Sequence, residues 1–386
     1  MRLALSVLLL CTLVAGCATP LPAPSVSGNC VSEFDADRDY FPVKSTVKHA
    51  KNFSLRYEKS YQVLTVDQPF PNGKPETYVL LRCGAPRPDI AGAVVVETPI
   101  RSLYSGSTTH LPLLADLGRL DLLSGVESTS YVVSADARAR IDAGKVTEYG
   151  ANNTIDAEKV IVGTPDVVMT GGTDKPEYAA LRNAGIPVIA NAEWLEATPL
   201  GRAEWLKVMA ALTGDEQKAG EVFDRIERDY QAVVAKAAGV QPKTEVLPGS
   251  LRQGAWNMPA GGSYAGTLLR DAGATYPWAD SPNTGTLQLS YEEIYAKAGT
   301  IGVWLVDSPW QTLADARAAD PRHEQLAAVG TGRVWTHNKV VGPQGGNDYW
   351  ERGVTRPDLV LSDLVAIIHP QLMPGYETTF YRQVGR

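Results

Sequence analysis

The chain has 386 residues, 44% of them hydrophobic, and a formal net charge of −7. That length and apolar content allow two good-sized cores, and the acidic balance leaves no basic footprint for a nucleic-acid partner. Beyond the N-terminus no apolar run reaches the ~18 residues that a membrane span needs.

The N-terminus has the layout of an export signal. Met1-Arg2 gives a positive end, and Leu3 to Val14 is almost wholly apolar. It closes in Leu13-Val14-Ala15-Gly16-Cys17, which resembles the lipobox of bacterial lipoproteins. The resemblance implies that residues 1–16 are a signal peptide and that Cys17 is lipidated. Residues 17–29, small and Pro-rich, read as a flexible tether. The expected location is therefore extracytoplasmic, in the periplasm or at the cell surface, with the membrane reached through a lipid anchor. Apart from the lipidated Cys17, only Cys30 and Cys83 remain in the mature chain, and outside the cytoplasm such a pair is expected to form a disulfide.

Residues 30–92 read as a β-rich extension. Phe53 to Tyr57 and Tyr61 to Val66 alternate with period two around a turn at Glu58-Lys59-Ser60, and Pro71-Asn72-Gly73-Lys74 turns the chain into a strand over Thr77 to Leu81. From Ala93 the pattern becomes β/α, and residues 93–212 form a first lobe. It holds strands at Val94–Val96, Ser102–Ser105, Pro165–Thr170 and Ile186–Ile189, with helices at His110–Gly118, Asp156–Val162 and Tyr178–Asn183. Residues 213–240 carry one long amphipathic helix. Its stripe is Ala219, Phe223, Ile226, Tyr230, Val233 and Ala237, with Thr213 or Asp215 at its start and Gly239 and Pro242 at its end.

Residues 241–386 repeat the grammar as a second lobe. Strands fall at Glu245–Leu247, Ile301–Val306 and Arg333–Trp335, and helices at Ala265–Asp271, Tyr291–Lys297, His323–Val329 and Pro357–His369. The expected fold is α/β: two Rossmann-like lobes joined by one long helix, with a small β-rich extension in front. No nucleophile elbow, P-loop or dinucleotide fingerprint is present, since Gly261-Gly262-Ser263-Tyr264-Ala265-Gly266 is one residue too long for G-x-S-x-G. No enzyme and no cofactor are expected.

Taken in order, Ser102–Gly118, Ala157–Gly172, Thr198–Leu212, Gly261–Gly273, Ser290–Lys297 and Gly345–Asp363 resemble the helical-hinge (class III) substrate-binding proteins of bacterial ABC importers for ferric siderophores, haem and vitamin B12. Thr198 to Trp205 is similar to the segment leading into the inter-lobe helix of iron-type members. The resemblance implies an iron-siderophore-like small molecule as ligand, with haem and cobalamin as alternatives, and ABC permease subunits as partners. A surface protein that captures ligand without a permease is a further alternative. The resemblance carries the permease-docking glutamates to Glu158 and Glu292, with Glu293 next to the second. It also implies limited closure, because a stiff helix resists wide opening.

Ligand is expected between the lobes, at loops following strand carboxyl ends. The candidates are Tyr104, Ser107, Thr108, His110, Glu193 and Trp194 on the first lobe. On the second they are Arg252, Trp256, Tyr264, Trp310, Asp348, Tyr349, Trp350 and Arg352. Four of the eight tryptophans (Trp194, Trp256, Trp310 and Trp350) fall in such loops, where an indole suits a large planar or conjugated ligand. Arg252 or Arg352 suits an anionic group. His110 reads either as a metal or axial ligand or as a helix-start core residue, and no metal site is assigned.

Overall fold

The computed structural model of the protein describes residues 30–151, 154–342 and 344–386. The export signal 1–16, Cys17 and the tether 17–29 lie outside them. The extension begins as the expected hairpin, Phe53–Tyr57 antiparallel to Tyr61–Val66. Glu76–Arg82 adds a third strand, and Val94–Thr98 a fourth that runs parallel to it. The extension's sheet therefore runs on to Thr98, and the valines read as the first strand of the lobe belong to it. Three consecutive valines suit any strand buried on both faces, so the sequence does not say which sheet takes them. Cys30 and Cys83 are bonded, which pins the start of the described chain beside the end of the third strand.

The first lobe is built on five parallel strands in the order Val188–Ala190, Val167–Thr170, Leu103–Ser105, Leu123–Val126, Thr147–Glu148. Alternate residues enter opposite cores. Leu103, Val167, Met169 and Ile189 join the main core, while Tyr104, Val168 and Val188 join a smaller one with Tyr149, Tyr178 and Leu181. The chain order reverses between the strands Leu103–Ser105 and Val167–Thr170. That reversal leaves a crevice beyond their carboxyl ends. The second lobe centres on Leu247–Pro248, Trp304–Val306 and Val334–Thr336, all parallel, with Arg382–Gln383 antiparallel at the edge.

Some second-lobe elements differ from expectation. His323–Val329 is a 3-10 turn, Pro321–Gln325, followed by a short helix, Ala327–Thr331. The stretch 250–289 holds an antiparallel sheet of Ser250–Arg252, Ala255–Pro259 and Thr286–Leu289 that the chain's pattern did not suggest.

The linker helix spans Glu216–Ala237, and all six residues of its stripe are buried. At ~1.5 Å per residue it is ~33 Å long. It packs along Pro357–Ile368 and Leu206–Thr213. Asp215 stands at its N-cap position but does not cap it; its carboxylate pairs with Arg119 at 3.0 Å. Glu216, the first helical residue, is buried and accepts a 2.9 Å hydrogen bond from Gln62 Nε2 of the extension.

Burial pushes the Glu216 carboxyl up from 4.5 to about 6. A raised carboxyl pKa means that the folded state holds the extra proton between those values. Stability therefore falls as pH rises through this window. Glu216→Gln keeps an acceptor for Gln62 and removes the charge. It should stabilise the protein at pH 7 by about 2 kcal/mol, with the gain gone below the unfolded-state pKa. Urea unfolding at pH 4 and pH 7 measures both arms.

Candidate ligand cleft

Three adjoining cavities fill the space between the lobes. One of about 800 Å³ lies against the first lobe, lined among others by Ser107, Thr108, Glu127, Ser130 and Lys175. A second of about 570 Å³ lies against the second lobe, walled by Arg252, Asp307, His337, Tyr349 and Tyr381. A third of about 380 Å³ joins them through Ser107, Gly171, Glu193, Trp194, Tyr264 and Trp350. Each falls in the ~300–1,000 Å³ range of small-molecule sites, so together they accommodate a ligand larger than most. The carboxyl ends of Leu103–Ser105 and Val167–Thr170 open into the first cavity, and those of Leu247–Pro248 and Trp304–Val306 into the second.

Trp194 and Trp350 are 42% and 40% exposed. Trp194 is held by a 3.2 Å hydrogen bond from its Nε1 to the Gly171 carbonyl. Gly172 permits that approach: its φ is 70°, and a Cβ there would lie 2.5 Å from the indole nitrogen. Trp350 rests edge-on against His337 and Tyr349, with centroids 5.2 and 4.8 Å away. Both indoles are thus fixed by one edge and open toward the cavities.

Each lysine and arginine in the lining is paired with a carboxylate. Arg252 Nη2 lies 2.5 Å from Asp307 Oδ2, and His337 Nε2 lies 3.3 Å from Asp307 Oδ1. Burial acts to raise the Asp307 carboxyl pKa, but the hydrogen bond from His337 and the His337 and Arg252 charges outweigh it and hold it below its ordinary value. Lys175 pairs with Glu127 at 2.5 Å, and buried Arg202 with Glu193 at 3.5 Å. Beside the cleft Glu351 clasps the lobes together, accepting from the N–H groups of Val133 (2.7 Å) and Ser134 (2.8 Å) at the start of the helix Ala135–Asp142.

Ser107, Thr108, Glu193, Trp194, Arg252, Tyr264, Tyr349 and Trp350 line these cavities. The other candidates face elsewhere. Tyr104 points into the smaller core, stacked on Tyr149 at 5.3 Å and fitted against Gly125 and Gly163, where a Cβ would lie 2.6 and 2.1 Å from it. His110 is buried with Nδ1 2.9 Å from Ser105 Oγ. Burial drives its pKa down to about 3, so it is neutral. Among the described residues no three His, Cys, Asp or Glu side chains gather as a metal site.

Trp256 is fully buried, stacked on Trp304 at 5.4 Å, and Trp310 meets Trp304 edge-on. Trp256 belongs to the second-lobe core because it lies on a strand of the antiparallel sheet, and Trp310, which follows the strand Trp304–Val306, is partly buried against that core. Asp348 and Arg352 close on each other at 2.6 Å. Asp307, His337, Glu127, Lys175 and Arg202 were not anticipated. Apart from Arg202, inside the Thr198–Trp205 stretch, they sit in stretches without a motif.

Glu158 and Glu292 occupy equivalent positions. Each is exposed and second in a helix, Ala157–Gly163 and Tyr291–Ala298, behind a side-chain cap from Asp156 or Ser290. Glu293 is engaged in the capping box with Ser290. Glu292 pairs with Arg322 at 3.1 Å.

The model of the family described as periplasmic binding protein matches residues 102–340. An uncharacterised lipoprotein of Methanocaldococcus jannaschii is 30% identical over 296 residues, 74% of this chain and 69% of its own length. Among solved structures, a periplasmic heme binding protein from Pseudomonas aeruginosa superposes with a TM-score of 0.55 at 20% identity, over 74% of this chain and 99% of that one. A periplasmic vitamin B12 binding protein of Vibrio cholerae gives 0.50 at 19% identity, over 72% and 99%. These two likenesses bear on the fold alone.

Proposed function

The chain belongs to the periplasmic binding protein family, and from that premise we propose that it captures a metal chelate between its lobes and delivers it to an ABC importer. It is a solute-binding protein of the ABC-importer type. A ferric siderophore is the leading cargo, and the structural likeness to heme- and vitamin B12-binding proteins supports those two complexes as alternatives. The observation that carries the reading is the pair of half-exposed indoles, Trp194 and Trp350, on one cavity. Indoles left open in a cleft of this volume suit a broad, partly apolar ligand.

The work is binding and hand-over, with no bond made or broken. Cys17 is proposed as the acylated anchor, which the lipoprotein name of the 30% identical relative supports. Among the described residues no helix is long and apolar enough to cross a membrane. Glu158 and Glu292 are proposed to meet arginines on two permease subunits.

Tryptophan fluorescence tests the cargo. Titration with a ferric tris-hydroxamate, haem and vitamin B12 should quench with at least one of them. Replacing Trp194 and Trp350 together by Ala should weaken that binding roughly tenfold or more. No quenching by any of the three would remove the chelate from the account.

A further inference from the structure

Among the described residues the cleft has no unpaired lysine or arginine. Lys175, Arg202 and Arg252 are the lysines and arginines that line its three cavities, and each faces a carboxylate that lines the same cavity. Lys175 Nζ stands 2.5 Å from Glu127, and Arg252 Nη2 2.5 Å from Asp307. Arg202 stands 3.5 Å from Glu193 and lays its guanidinium over the Tyr264 ring at 4.2 Å, so its face is taken as well. One carboxylate is left over. The Glu148 carboxylate, in the first-lobe cavity, accepts from the Thr129 N–H (2.8 Å) and hydroxyl (3.1 Å); among the described residues no salt bridge is made to it, and Lys159 Nζ bonds instead to the Glu148 main-chain carbonyl at 3.0 Å. Even with His337 protonated, the lining is at best neutral.

A polyanionic cargo fits this lining badly. Its charges would leave water for a cleft in which each positive group already has a partner. To gain a cation it must break an existing pair and leave a carboxylate unpaired; that is costly at Lys175–Glu127 and Arg202–Glu193, which are largely buried, and less so at Arg252–Asp307, which is about half exposed. A neutral or cationic complex avoids that cost. Its apolar face is served by Trp194, Tyr264 and Trp350, and its polar face by the hydroxyls of Ser107, Thr108 and Ser130.

We propose that the paired charges of the cleft select by net charge, so that the cargo is a neutral or cationic metal chelate and multiply anionic chelates are rejected. This rests on the chelate reading given above and narrows it. Within it, Asp307 and Glu127 are specificity residues: they hold Arg252 and Lys175 away from anionic cargo without needing to touch the ligand.

The test uses the purified full-length protein and three probes, read by fluorescence and equilibrium dialysis. They are a ferric tris-catecholate (a trianion), a ferric tris-hydroxamate (neutral or monocationic) and vitamin B12 (neutral). At least one of the latter two should bind about a hundredfold or more tighter than the trianion. Asp307→Asn frees Arg252, and Glu127→Gln, in the other lobe, frees Lys175. Each should narrow the gap about tenfold or more by tightening the trianion. Should one variant not fold, the other reads the same effect. Trianion binding that equals or exceeds that of the neutral complexes would overturn the charge rule and leave the chelate reading standing. Failure of all three probes would remove the chelate reading, and this inference with it.

Discussion

Glu204→Ala should cost about 3–5 kcal/mol and release the extension from the first lobe. The carboxylate is fully buried and gathers four donors: the N–H groups of Lys48 (2.9 Å), His49 (2.6 Å) and Ala50 (2.8 Å), and Lys207 Nζ (2.5 Å). Burial acts to raise its pKa, but Lys207 and the three N–H groups outweigh that and hold it below its ordinary value. That sign makes its contribution one that fades as pH falls through the carboxylate range. Truncation strands a buried ammonium and three backbone donors. Lys207 keeps only the Thr46 carbonyl (2.6 Å) and the face of Phe223 on the linker helix.

Glu204→Gln, which keeps the shape, should lose less than the Ala variant. Glu196 takes the next two N–H groups, Lys51 at 2.9 Å and Asn52 at 3.0 Å, and also Trp205 Nε1 at 3.1 Å. Limited proteolysis around residues 48–52, with urea unfolding, reads both the release and its energy. A loss below about 1 kcal/mol, the scale of one ordinary hydrogen bond, would show that this joint does not hold the extension.

Reversing Glu158 and Glu292 together to Lys should lower delivery by roughly a hundredfold or more, while ligand affinity stays within about twofold. The magnitudes separate the two effects. On the protein itself the change costs little. A charge at a helix N-terminus is worth ~0.3–1 kcal/mol, and the Glu292–Arg322 pair is exposed to solvent, where an ion pair adds little. Against a basic partner, each reversal turns an attraction into a like-charge contact worth several kcal/mol. Uptake into vesicles carrying the permease and ATPase, beside a binding titration of the same variants, measures both. Unchanged uptake would remove the docking role of these glutamates, and uptake that the unmodified protein does not raise would favour a capture protein that feeds no permease; lost ligand binding would tie these residues to the ligand instead.

The elements that the chain announced are those whose surroundings are asymmetric. The linker helix has one wet and one buried face, so its stripe from Ala219 to Ala237 was legible residue by residue. The hairpin Phe53–Val66 was legible for the same reason, with a turn between two alternating runs. Strands buried on both faces carry no such signal. Leu103 and Tyr104 are neighbours that enter different cores, and nothing local says that Tyr104 faces a slot made by Gly125 and Gly163.

The tryptophans divide the same way. Trp194 sits in the one-turn 3-10 helix Glu193–Leu195 and Trp350 in the short helix Asp348–Glu351, both at the cleft, and the expectation of an open indole holds for them. Trp256 lies on the strand Ala255–Pro259, whose short partners lack a turn motif, and it packs inside. The stretch Thr198 to Trp205, notable in the sequence for its likeness to iron-type members, proves to be a dock. Thr198 caps Gly201, Glu204 holds the extension, and Trp205 packs edge-on against Phe53 at 4.9 Å. The paired charges of the cleft were not legible, since Glu127 and Lys175, or Arg252 and Asp307, meet only through the fold.

The central claim is that one ligand is held by both lobes at once. Hydrogen exchange with and without a saturating ferric tris-hydroxamate or vitamin B12, whichever binds more tightly, tests it directly. The account predicts slowed exchange on both walls, at Gly171–Thr173 and Trp194 on one side and at Tyr349–Gly353 on the other. The extension strands Phe53–Arg82 should be unchanged. Protection confined to a single lobe, or to the extension, with ligand demonstrably bound, would contradict it.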